Sequence, residues 1–331
     1  MASAPIFIVG AKRSGTTLLR ELLRSHPHLA FEHETHFLPR FYRAYGDPRN
    51  DREARALARR ILNLGWIRAW GLDLDPAALE HHRSFAGLVA ALYARMAAEA
   101  GKRRWGDKTP DYAFEIPLLH ELFPDAKIVH IYRDGRDVAL SWLRAGTGPR
   151  NVYTAAEVWR RFVTTGRGAG ASLPASSYKE VRYESLLSAP EETMRDLCRF
   201  LEEPFCEDVL RPAPQPLLGL RFSMLGKPQH PPPPSREQIV GSNAGKWRIA
   251  MRRTDRALFE SVAGDLLEEL GYEVEGLARR VPPGERFAWR LHHRARRVGF
   301  RLNNRPWPRT FALMLEASIR ERLRSASRKT A

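Results

Sequence analysis

Within the first twenty residues the chain places cations, hydroxyls and glycines at the spacing of an anion cradle. Gly10 and Gly15 bracket Ala11-Lys12-Arg13-Ser14, and Thr16 and Thr17 follow at once. Ahead of the loop, Ile6-Phe7-Ile8-Val9 reads as a short buried strand; behind it, Leu18, Leu19, Leu22 and Leu23 recur at helical spacing. A strand that turns through a glycine-bounded loop into a helix points backbone N–H groups into the loop. It also sets the positive end of the helix dipole there. Lys12 and Arg13 add two cations, and Ser14, Thr16 and Thr17 add three hydroxyls, so the loop suits a phosphate.

The loop nearly matches the nucleotide-triphosphatase pattern G-x-x-x-x-G-K-[ST]. Thr16, however, stands where the lysine that reaches the β- and γ-phosphates belongs. That argues against ATP or GTP hydrolysis, and a P-loop kinase or nucleoside triphosphatase is the alternative reading. The run Arg13-Ser14-Gly15-Thr16-Thr17-Leu18-Leu19 resembles instead the 5′-phosphosulfate loop of sulfotransferases, enzymes that use 3′-phosphoadenosine-5′-phosphosulfate (PAPS).

Glu32-His33-Glu34-Thr35-His36-Phe37-Leu38 sets two carboxylates and two imidazoles near that loop in sequence. The histidines miss the i, i+4 spacing of H-E-x-x-H, and no metal is expected. Glu-Thr-His-Phe-Leu resembles the segment that supplies the general base in the bacterial and Golgi-type sulfotransferases. The resemblance makes Glu34 the base, with Glu32 and His36 as alternatives. Cytosolic sulfotransferases carry K-T-H with a catalytic histidine where this chain has Lys108-Thr109-Pro110. The missing imidazole strengthens Glu34, and Lys108 matches the lysine that helps neutralise the sulfuryl group and the bridging oxygen.

Lys127–Tyr132 reads as a second buried strand, and it runs into Arg133-Asp134-Gly135-Arg136-Asp137 with Ser141 eight residues after Arg133. The resemblance gives Arg133 and Ser141 the 3′-phosphate of PAPS, a task suited to the planar guanidinium fork. An Arg133–Asp137 ion pair is the purely structural alternative. Arg182-Tyr183-Glu184 with Leu186-Leu187 resembles R-Y-E-x-L-L, which sets Tyr183 against the nucleotide. Gly245-Lys246-Trp247 resembles the last cofactor motif. The upstream R-K-G clamp of the cytosolic branch is replaced by Val240-Gly241-Ser242, and Lys246 is the expected substitute.

The elements that must position these residues follow from the same pattern. Helices are expected over Asp51–Leu64, Phe85–Ala100, Ala113–Leu122, Tyr153–Thr165, Glu191–Leu201 and Asp255–Leu270, and a further strand over Tyr178–Tyr183. The Pro-rich stretch 211–234 reads as a linker or as a lid. The family fold implied is an α/β, P-loop-like three-layer domain, a central parallel sheet flanked by helices, over residues 1–278. Residues 279–331 form a C-terminal basic helical extension.

Charge separates the two parts. The 331 residues carry a formal +16, but from Arg279 onward stand 15 Lys+Arg and 3 acids, leaving 39 bases and 35 acids for the body. The tail thus holds +12 and the body +4. The tail residues form two amphipathic stripes, Phe287, Leu291, Ala295, Val298 and Leu302, then Phe311, Leu315, Ile319 and Leu323. Such stripes beside arginines suit a membrane surface, or else pack on the body. The arginines lie on amphipathic helices and not in a DNA-reading module, so no nucleic-acid partner is expected. Two cysteines give neither a disulfide framework nor a zinc site. No targeting signal or spanning segment is read, which makes the cytoplasm the default location, with membrane association through the tail. The expected reaction moves a sulfuryl group from PAPS to a hydroxyl or amine of an unidentified acceptor: glycan, lipid, peptide or natural product.

Overall fold

The computed structural model describes residues 4–146, 148–211, 243–303 and 308–329. Five parallel strands form one sheet in the order β2-β3-β1-β4-β5. They are β1 (Ile6–Gly10), β2 (Leu29–Phe31), β3 (Arg104–Lys108), β4 (Lys127–Tyr132) and β5 (Tyr178–Arg182). Central β1 is buried throughout and pairs with β3 on one side (Ile6 opposite Gly106) and β4 on the other (Ile6 opposite Lys127). Its alternating residues serve two layers: Phe7 and Val9 join the larger core, Ile6 and Ile8 the smaller.

The helices are α1 (Thr16–Arg24), α2 (Leu38–Tyr45), α3 (Asp51–Leu62), α4 (Gly65–Arg68), α5 (Phe85–Glu99), α6 (Ile116–Leu122) and α7 (Gly135–Ala145). They continue with α8 (Val152–Gly170), α9 (Tyr183–Ser188), α10 (Pro190–Leu201), α11 (Trp247–Ala250), α12 (Arg253–Glu269), α13 (Pro283–Asn303) and α14 (Pro308–Lys329). The smaller core takes Leu19, Leu22 and Leu23 of α1 with Leu186, Leu187, Met194, Leu197 and Leu201 of α9 and α10. The larger core takes the apolar faces of α2, α3, α5, α8 and α12. Helix on sheet on helix is the expected three-layer architecture. From β1 the chain crosses to one side for β2 and β3, then to the other for β4 and β5. The carboxyl end of β1 is therefore where successive connections part, the place where sheets of this kind bind ligands.

Two local outcomes differ from expectation, and one expectation falls outside the described residues. β2 and β3 carry no strand signal in the sequence: β2 spans three residues, and β3 reads Arg-Trp-Gly-Asp-Lys yet lies between two strands and is wholly buried. Its charges are answered at both ends, Arg104 by Glu203 (3.1 Å) and the carbonyl of Leu201 (2.5 Å), Lys108 by Glu34. The expected helix Ala113–Leu122 is instead a 3-10 turn, Pro110–Phe114, followed by α6, because Glu115 adopts φ −124°. The Pro-rich connection, and with it the linker or lid reading, lies outside the described residues, as do Val240, Gly241 and Ser242.

Candidate active site

The loop after β1 is shaped by positive φ angles at Gly10 (147°), Arg13 (76°) and Gly15 (97°). Gly15 is also a point of close approach, since a Cβ there would overlap the ring of Tyr183. Arg13 lies exposed at the mouth and donates from Nε to Ser141 Oγ at 2.9 Å. The hydroxyl of Ser14 is buried with no partner among the described residues. Buried polar groups are rarely left so, and an anion seated in the loop would satisfy it.

The loop after β4 meets the first from the side. Arg133 donates to the carbonyl of Arg13 (3.4 Å) and to the carbonyl of Asn243, pairs with Asp137 (3.3 Å) and lies over Tyr183 with its guanidinium 4.5 Å from the ring centre. Its Nε, also buried, has no partner among the described residues. Asp137 has a second duty. Its carboxylate accepts from the backbone N–H of Gly245 (2.8 Å) and of Trp247 (2.9 Å), which staples the Lys246 segment to the start of α7. The Arg133–Asp137 pair expected as a structural alternative is thus present, and it coexists with an arginine facing the cleft. Arg136, three residues on, is fully buried: it binds Asp134 (2.8 Å) and stacks 3.5 Å from the centre of the Trp247 ring.

Glu34 lines the same cleft as the two loops. One carboxylate oxygen pairs with Lys108, the other with His36 Nε2 at 3.1 Å. Burial by itself would raise the proton affinity of Glu34. The Lys108 charge and the His36 contact outweigh it and hold the carboxyl well below the usual range. Lys108 is wholly enclosed, and burial pulls its own pKa down against the pull of Glu34. The pair is set in place from below by Asp107. That buried carboxylate accepts from the hydroxyls of Thr35, Tyr93 and Thr109, each at 2.6 Å. Thr35 is the neighbour of Glu34, so β3 and α5 fix the position of that carboxylate through one hub. His36 sits at φ 55°, and Asp111 beside it binds Lys12 at 2.7 Å.

These groups surround a cleft of about 680 Å³ at the carboxyl ends of the strands. The sequence matches the family model described as the sulfotransferase family over residues 5–208. The chain belongs to the sulfotransferase family. It is 28% identical over 218 residues to protein-tyrosine sulfotransferase 1 of Danio rerio, covering 62% of this chain and 55% of that one. It is 27% identical over 288 residues to nodulation protein NoeE of Sinorhizobium fredii, covering 81% and 65%. These alignments thus span about half to two thirds of the relatives' own length. Among solved structures, the sulfotransferase domain of the Synechococcus PCC 7002 olefin synthase superposes with a TM-score of 0.54 at 25% identity, covering 82% of this chain and 96% of that one. The sulfotransferase domain of the curacin biosynthetic pathway shares the fold, with a TM-score of 0.56 at 23% identity and coverage of 82% and 99%.

In this sulfotransferase the cleft wall holds most of the residues singled out in the sequence: Lys12, Arg13, Gly15, Thr16, Thr17, Glu34, Arg133, Ser141, Tyr183 and Lys246. Ser14 and Lys108 sit just behind it, both fully buried. Trp247 is not brought to the wall; its ring is enclosed in the core under Arg136, and only its backbone N–H takes part, through Asp137. Glu32 is buried outside the cleft, its carbonyl bound by Arg20 (3.4 Å), which leaves Glu34 as the acid of that segment that lines the cavity. Arg144 and Asn243 also line the cleft and were not anticipated. Arg144 could have been found, since it follows Ser141 by three residues on one helix face. The Asp107 hub could not, because its partners are scattered over residues 35 to 109.

Proposed function

We propose that this sulfotransferase moves a sulfuryl group from PAPS to an acceptor hydroxyl or amine, with Glu34 as general base. Bound in the cleft, PAPS supplies a sulfuryl group on a good leaving phosphate. Lys12, Arg13, Thr16, Thr17 and the loop N–H groups hold the 5′-phosphate side. Arg133, Ser141 and Lys246 hold the 3′-phosphate, and Tyr183 lies along the nucleotide. Ser14 Oγ and Arg133 Nε, both buried and without a partner among the described residues, lie one in each loop, as two separated phosphates would require.

Glu34 removes the acceptor proton as the acceptor oxygen or nitrogen attacks sulfur, and the S–O bond to the 5′-phosphate breaks in line. By analogy with phosphoryl transfer the transition state is loose, so negative charge grows on the leaving oxygen. Arg13 and Lys108 stabilise that charge. Lys108 has a further consequence. While it pairs with Glu34 the carboxylate is a weak base; as Lys108 turns its charge toward the transferring group, that hold slackens and the proton affinity of Glu34 rises. Base strength is thereby coupled to the donor's presence.

The observation that carries the reading is the meeting of a carboxylate–lysine pair and two arginine-bearing loops around one cleft. The names of the protein-tyrosine sulfotransferases make a tyrosine phenol the first acceptor to try. Titration calorimetry with 3′,5′-ADP, PAPS and ATP, without added Mg²⁺, tests the donor. Tight binding of the first two and weak binding of ATP is expected; equal affinity for ATP and 3′,5′-ADP would overturn it.

A further inference from the structure

The five most exposed large hydrophobic side chains among the described residues are Ile249 (95%), Phe287 (68%), Leu291 (54%), Ile319 (51%) and Leu315 (48%). Four of the five belong to α13 and α14. Each helix is fastened to the body by a different set of residues. On α13 the carbonyl of Trp289 accepts from Asn151 Nδ2 (2.9 Å), and Arg290 pairs with Glu157 (2.5 Å). On α14 the hydroxyl of Thr310 accepts from the N–H of Gly65 (2.7 Å), Ala317 is fully buried, and Glu316 pairs with Arg60 (3.5 Å). With that face spoken for, the i, i+4 pairs Phe287–Leu291 and Leu315–Ile319 point to solvent. The alternative in which these stripes pack on the body is therefore corrected for these four residues.

Charge says what suits the outward face. All three acids of the tail are already paired: Glu285 with Arg279 (2.5 Å), Glu316 with Arg60 and Arg320, Glu321 with Arg43 (3.8 Å). Arg294 and Arg322 are exposed, each seven residues after the first member of an apolar pair and so on the same helix face. A second copy of the chain would bring an equal positive surplus to the contact. Nucleic acid would use the arginines and leave the apolar residues in water. An anionic bilayer uses both.

We propose that α13 and α14 dock the protein on an anionic phospholipid surface, with Phe287, Leu291, Leu315 and Ile319 entering the headgroup boundary and the arginines facing the lipid phosphates. Among the described residues no helix is long and apolar enough to cross a membrane; the docking proposed is that of helices lying in the interface plane.

Flotation of the full chain with equimolar phosphatidylcholine–phosphatidylglycerol vesicles, and with phosphatidylcholine alone, tests this at low and high salt. The chain should float with the anionic vesicles only, and less at high salt. Phe287→Ser and Leu315→Ser should each lower partitioning roughly tenfold or more, the scale of one buried apolar side chain. Arg294→Gln and Arg322→Gln should each lower it about fivefold. Unchanged thermal unfolding certifies each variant's fold; should one fail, Leu291→Ser or Ile319→Ser takes its place. Equal flotation on both vesicles, none on either, or serine variants that float unchanged while losing a dimer seen by light scattering would each overturn the proposal.

Discussion

The two walls of the cleft are built in different ways. The wall that carries Arg13 and Arg133 comes from two strand–loop–helix turns, and each turn is local. Residues 10–17 supply their own glycines, cations and hydroxyls, and Arg133, Asp137 and Ser141 fall within nine residues of one another. The wall that carries Glu34 is assembled from afar. Thr35, Tyr93, Asp107, Thr109 and Tyr112 converge from three separate stretches to fix one carboxylate and one lysine. A local turn keeps its shape through backbone geometry. An assembled wall keeps Glu34 in place through a buried network, which is rigid when fully satisfied and vulnerable at its centre. Damage to the second wall should therefore cost chemistry and leave nucleotide affinity standing, and damage to the first should do the reverse.

The largest effect should come from the assembled wall. Glu34→Gln should lower turnover by roughly 10²–10⁴-fold, the usual range for a general base, while PAPS affinity holds. A turnover near the parent value would move the role to His36, the neighbour at 3.1 Å. The same variant has a pH signature in stability. Because the native environment depresses the Glu34 pKa, its ionised form favours the fold above the ordinary glutamate range, and this contribution is lost as pH falls through the native value. Denaturant midpoints of parent and variant should differ most near neutrality and converge in acid. A constant gap from neutral to acid pH would mean that Glu34 is not held by Lys108 in solution.

The local wall should answer to Arg133→Ala. Loss of hydrogen bonds to a charged phosphate should weaken 3′,5′-ADP binding by about 1.5–3 kcal/mol, with turnover at saturating PAPS much less affected. Calorimetry and saturation kinetics on one preparation separate the two quantities. A variant that binds normally and turns over slowly would erase the distinction between the walls.

This difference between walls also explains what the sequence revealed. That the glycine-bounded loop, Arg133, Ser141 and Tyr183 would share one cleft was legible because each belongs to a short run whose residue types suggest a common chemistry. β1 and β4 were legible as apolar runs, and α5 and α10 as periodic ones. β3 was not, because its arginine, aspartate and lysine find partners only in the folded chain, at Glu203, Thr35 and Glu34. Trp247 misled for the opposite reason. Its motif is local, but the ring fills the core under Arg136 and the motif reaches the cleft through its backbone and Lys246. Gly106 is a quieter case: a Cβ there would overlap the Phe31 ring, a constraint set by strand pairing across the sheet.

Asp107→Asn probes the hub with a smaller change. The amide keeps an acceptor oxygen but turns donors toward hydroxyls that themselves donate, so at least one of Thr35, Tyr93 and Thr109 loses its partner. About 1–3 kcal/mol of stability should be lost, with turnover falling and 3′,5′-ADP affinity held. Thermal unfolding and calorimetry together decide. A drop in nucleotide affinity as large as that of Arg133→Ala would show that the two walls move as one.

The smallest effect should be that of Ser141→Ala, and its value lies in what the loss depends on. The Ser141 hydroxyl accepts from Arg13 Nε at 2.9 Å at the exposed mouth of the cleft, where water can replace it, so about 1 kcal/mol of nucleotide affinity is at stake. Two roles predict that number and differ in its origin. If Ser141 binds the 3′-phosphate directly, the variant loses affinity for 3′,5′-ADP and keeps it for 5′-AMP, which lacks that phosphate. If Ser141 acts only by aiming Arg13 at the 5′-phosphate, both nucleotides weaken equally. Titrating both against parent and variant separates the cases. Equal weakening would make Ser141 a positioning residue of the first loop and leave Arg133 and Lys246 to hold the 3′-phosphate.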